Sequence, residues 1–141
     1  MIILIMMLRF WKGRTMSRWQ PFNPNPHHSR TGDCPVRAIC KAIDKDWEYV
    51  YVGLSLYGFM GADMPNANHV WGDYLESCGF VKRLVDKNFR LHYTVEDFCH
   101  DHPKGIFVLG CDQHVVTVVD GEYYDSWDSG GEVPIYYWER G

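Results

Sequence analysis

The sequence predicts an α+β fold in which N-terminal helices pack on a C-terminal antiparallel β-sheet. Three observations carry this expectation. Apolar residues at helical spacing, opened by capping residues, fill the first half of the chain; β-rich runs around an Asp-Gly pair fill the second; and no repeat, low-complexity tract or linker divides the two. With 141 residues, 46% of them hydrophobic and 23% charged, the chain has the size and composition of one compact unit with its own core.

The opening MIILIMML is far shorter than the roughly 20 apolar residues a membrane span requires. Its Arg and Lys follow the apolar stretch, whereas a secretory signal places them before it. Residues 1–15 therefore read as an apolar or disordered N-terminal extension, and residues 16–141 as a single domain. The three prolines of PFNPNPHHSR fix φ and disfavour helix at their predecessors, which makes that stretch a loop. A first helix then starts at or beside Cys34, with Asp33 as a cap, Pro35 tolerated in the first turn, and Val36, Ile39, Cys40 and Ile43 on one face. Asp46 opens a second helix of about twelve residues, and residues 67–78 form a third, closed by Gly79. FVKRLV is a strand candidate, and YTVEDFCHDHP is a short helix with Thr94 as N-cap, Asp97 at the capping-box position and Pro103 beyond its end. Residues 105–109 are an apolar strand. HVVTVV, DG and EYYDSW make a hairpin with a two-residue type I′ turn, and VPIYYW is the last strand.

Composition narrows the functional classes. Fourteen Lys plus Arg against eighteen Asp plus Glu leave a formal charge of −4, which offers no electrostatic footprint for nucleic acid. The aromatic content of 16% suits a cleft lined by large rings with polar handles. Cysteines at 34, 40, 78, 99 and 111 form neither an even disulfide framework nor a repeated CxxC, so they read as reduced thiols in a cytoplasmic protein.

Cys34 stands where unpaired N–H groups and the helix dipole favour a thiolate. Any small residue can open a helix, so that position alone decides nothing. The hairpin adds a second observation: its two-residue turn pairs Val119 with Glu122, Val116 with Asp125 and His114 with Trp127. Because alternate residues share a face, His114, Asp125 and Trp127 lie together, with His114 and Asp125 as diagonal neighbours. An imidazole oriented by a carboxylate is what a nearby thiol nucleophile requires.

In GDCPVRAI, QHVVTVVDG and YYDSWDSG the chain resembles the compact papain-like cysteine peptidases. The resemblance is to their small bacterial and phage branches, such as the peptidases that trim double-glycine leaders. It covers residues 20–138 and implies a papain-like arrangement with Cys34 as nucleophile, His114 as general base and Asp125, in place of the usual Asn, as the orienting residue. That family's oxyanion glutamine stands several residues before the nucleophile. Here the upstream glutamine is Gln20, farther away, while Asn25 and Asn23 are nearer amides that also suit Asx–Pro turns. Asp33, Gln113 and Trp127 are expected along the cleft, Asp33 chiefly as a helix cap and Trp127 as a lid over His114 and Asp125. Cys111 is close enough to His114 to line the same cleft but lacks a helix start. His27 with His28, and His100 with His102, lack partners at metal-ligand spacing and read as exposed loop and helix-end residues. The implied activity is hydrolysis of a peptide, isopeptide or related amide bond in a peptide or protein substrate through an acyl-enzyme, with no metal or organic cofactor. Amidase, deamidase or acyl-transfer chemistry uses the same parts, and the alternatives from other classes are a catalytically silent papain-like binding module and a phage structural or interaction protein.

Overall fold

The computed structural model describes residues 17–86 and 92–141. Among these, the elements run β1 (Trp19–Pro21), α1 (Cys34–Ile43), α2 (Trp47–Met60), α3 (Asn68–Ser77), β2 (Phe80–Leu84), α4 (Val95–Asp101), β3 (Ile106–Cys111), β4 (His114–Val119), β5 (Glu122–Asp125) and β6 (Pro134–Arg140). The fold is α+β, with three helices ahead of most of the strands. The expected extension over residues 1–15 lies outside the described residues.

Local chemistry accounts for the boundaries. Pro35 occupies the first turn of α1, and Asp44 ends the helix in the left-handed region at φ 54°. The Asp46 side chain accepts the Tyr49 N–H to open α2, and Thr94 and Asp97 form a reciprocal capping box on α4. Asp120 and Gly121 both adopt positive φ, the requirement of a type I′ turn, and the hairpin register pairs Val119 with Glu122.

The strands form one sheet in the order β1-β5-β4-β3-β6-β2. It is mixed rather than wholly antiparallel, because β1 pairs in parallel with β5, setting Gln20 beside Tyr124 and Pro21 beside Asp125. The chain between them makes the long excursion through the helices that a parallel pair needs. A second tight connection, Asp112 and Gln113, joins β3 to β4 and pairs Cys111 with His114.

Alternation along the strands divides the core. Val108, Val115 and Trp138 pack with Ile39, Leu54, Trp71 and Leu75 from α1, α2 and α3. Phe107, Leu109, Val116 and Val118 pack with Val95, Phe98 and Cys99 of α4 on the other side. The buried Thr117 hydroxyl donates to the Ala38 carbonyl at 2.6 Å, fixing α1 against β4. That contact sets Cys34 relative to the strand that begins with His114.

Candidate active site

Cys34 and His114 line one cavity of about 440 Å³, together with Gly32, Cys111, Gln113 and Tyr136. The His114 ring is buried, and its Nε2 lies 2.6 Å from Asp125 Oδ2. With Nε2 engaged, Nδ1 is the nitrogen left to serve Cys34, whose side chain lines the same cavity. Burial alone disfavours the charged ring. The hydrogen bonds to Asp125 and Cys34 and their attraction outweigh it, and the His114 pKa is pushed up to about 9. For Asp125, burial works toward the neutral acid, but hydrogen bonds from His114 and Ser129 and the nearby imidazolium hold the carboxyl below its ordinary range.

Asp125 is held from several sides. Ser129 Oγ donates to Oδ2 at 2.6 Å, the Ser126 N–H to Oδ1 at 2.8 Å, and Arg37 Nη2 approaches Oδ1 at 3.4 Å. Its backbone carbonyl accepts from Trp19 Nε1 at 3.0 Å and from the Phe22 N–H at 2.8 Å, so β1 fixes the main chain of this residue. The Trp127 ring lies 4.7 Å from the His114 ring, at 52°, and shields one side of the pair while remaining 43% exposed.

Asp33 is the N-cap residue of α1, but its carboxylate makes no side-chain cap. It instead accepts from Arg37 Nη1, from Asn25 Nδ2 at 3.1 Å and from Trp47 Nε1 at 3.0 Å. Arg37 therefore bridges two buried carboxylates, Asp33 and Asp125, from a position one helical turn after Cys34. Because the Asp33 side chain leaves the helix start open, the Cys34 N–H has no acceptor among the described residues and is available to an oxyanion.

The structure brings Cys34, His114 and Asp125 together and places Gln113 and Cys111 in the same cavity, with Trp127 against the imidazole. It does not bring Asn25 or Gln20 there. The Asn25 side-chain oxygen accepts the His27 and Ser29 N–H groups, and its amide nitrogen is committed to Asp33. Gln20 lies on the edge strand β1, separated from β4 by β5. Sequence reasoning missed Arg37, Ser129 and Trp47. The signals that could have pointed to the first two are the four-residue spacing of Asp33 and Arg37 and the second serine of DSWDS.

All five cysteines are free. Burial pushes the thiols of Cys40, Cys99 and Cys111 up to about 12, so these three remain protonated and poorly nucleophilic at neutral pH. Among the described residues, no group of three or more His, Cys, Asp or Glu side chains is arranged to hold a metal ion, and no helix is long and apolar enough to cross a membrane. No protein-family model matches the chain, and neither the curated proteins nor the solved structures contain a match to it.

Proposed function

We propose that this chain is a papain-like thiol hydrolase acting on a peptide, isopeptide or related amide bond. The observation that carries the reading is a buried imidazole whose Nε2 is held by Asp125 and which shares a cavity with Cys34 at the open amino end of α1. In this reading His114 takes the Cys34 proton, and the sulfur attacks the substrate carbonyl carbon. The resulting oxyanion receives the Cys34 N–H, and the side-chain amides of Gln113, Asn66 and Asn68, on the wall of the same cavity, are the candidates for a second donor. The imidazolium then protonates the leaving amine. Water, deprotonated by His114, attacks the thioester and regenerates the thiol. Asp125 holds the ring in the required tautomer and stabilises its charged form. The free cysteines fit a reducing, cytoplasmic setting.

Selective alkylation tests this directly. Iodoacetamide at neutral pH is expected to modify Cys34 before the other four cysteines, as read by peptide mass spectrometry. Hydrolysis of a fluorogenic peptide library should fall at least about a thousandfold in Cys34→Ala. Even labelling of the five thiols, or activity that survives the substitution, removes the proposal.

A further inference from the structure

A second cavity, of about 600 Å³, adjoins the first on the side of Trp127 and is lined by Asn23, His28, Ser29, Arg30, Thr31, Gly32, Arg37, Ser126 and Trp127. Gly32 borders both cavities, and Trp127 connects this one to the His114 ring. In a chain with a formal charge of −4, this lining contains two arginines, a histidine and three hydroxyl side chains and no carboxylate. Arg37 already serves Asp33 and Asp125, so its charge is compensated. Arg30 is exposed and has no ion-pair partner among the described residues. The loop that presents it is anchored by buried Asn25, which accepts the His27 and Ser29 N–H groups and donates to Asp33. Its cationic and hydroxyl groups are thus gathered at the cavity before any ligand arrives, with the carboxylates behind them occupied.

We propose that this cavity is a carboxylate-binding subsite, centred on Arg30, that selects peptide substrates carrying an acidic group next to the bond presented to Cys34. The proposal takes its substrate, a peptide, from the hydrolase reading, but the binding it describes needs no turnover. An incoming carboxylate meets the Arg30 guanidinium and the hydroxyl donors of Ser29, Thr31 and Ser126, while Trp127 covers its apolar stem.

The test uses Cys34→Ala protein and capped alanine–glycine hexapeptides in which one glutamate is moved through every position, with matched glutamine peptides as controls. A third set carries a free C-terminal carboxylate. Binding is followed by the NMR shift of the Trp127 indole. At least one acidic peptide is expected to bind about fivefold tighter than its neutral counterpart, the scale of a partly exposed ion pair. The preference should shrink as salt is raised and disappear in the Cys34→Ala/Arg30→Gln double variant. Preference for the glutamate set assigns the subsite to a side chain, and preference for the uncapped set alone assigns it to a chain terminus. Equal binding of acidic and neutral peptides in every set, or an acidic preference that survives Arg30→Gln, overturns the subsite. Failure of the hydrolase reading registers separately, as unselective alkylation of the wild-type thiols.

Discussion

The consecutive helices α1 and α2 meet opposite fates. α2 is almost wholly apolar or aromatic in sequence, yet only Val50, Leu54 and Gly58 of its fourteen residues are buried, and Tyr49, Val52, Leu56, Phe59 and Met60 face outward. α1 buries seven of its ten residues, including a charged arginine. Apolar content alone therefore does not decide which helix goes inside. α1 is drawn inward by polar bonds as well as by Val36 and Ile39: Thr117 holds its backbone, and Asp33, Arg37 and Asp125 form a buried chain across its first turn. Buried charges of this kind are tolerated only when each has a partner.

The strongest way to break this contrast is to remove the carboxylate at its centre. Asp125→Ala leaves Arg37 and His114 buried without their shared partner and is expected to lower stability by about 3–5 kcal/mol in urea unfolding. A loss under 1 kcal/mol would mean that the polar chain does not hold α1 in place.

On the apolar side, Leu54 and Leu56 make a matched pair. Leu54 is fully buried and Leu56 is 58% exposed. Leu54→Ala should cost about 2–5 kcal/mol, while Leu56→Ser should stay within about 0.5 kcal/mol, both read as thermal or urea midpoints. Comparable losses at the two positions would show that the outer face of α2 is covered in the folded protein.

A pH series sharpens the polar half further. The raised His114 pKa gives stability that is complete below the ring's ordinary value of 6.5 and is lost as pH rises through about 9. The lowered Asp125 pKa gives stability present above the ordinary 3.8 and lost as pH falls below it. The difference in urea midpoint between wild type and His114→Gln should therefore be largest between about pH 4 and 6.5 and narrow on both sides. A difference that grows above pH 9 has the wrong sign for this pair.

Much of the site was legible because local rules specify it. Pro35 and the helical spacing after it placed Cys34 at a helix start, and the Asp120-Gly121 turn fixed the register that brings Asp125 toward His114. What stayed hidden depends on partners far along the chain. β1 is three residues long and owes its existence to β5, more than a hundred positions later. Arg37 has the look of a solvent-facing helix residue until Asp125 arrives beside it. The Asp112–Gln113 connection contains no glycine, although Gln113 takes φ 54°, so the hairpin that seats Cys111 opposite His114 carried no turn signal. Asp33 satisfies the sequence rule for a cap, but three side-chain donors, two of them buried, compete for its carboxylate and win.

The clamp of β1 on the main chain of Asp125 makes the proposed acid–base pair vulnerable to proteases. Residues 26–32 form an exposed stretch between that strand and the helix that carries the thiol. A single nick there would sever Trp19 and Phe22 from α1, leaving β1 and side-chain contacts such as Asn25 with Asp33 to hold residues 17–25 in place. Were that segment released, Asp125 would lose two backbone anchors while Cys34, His114 and Asp125 all stayed covalently intact.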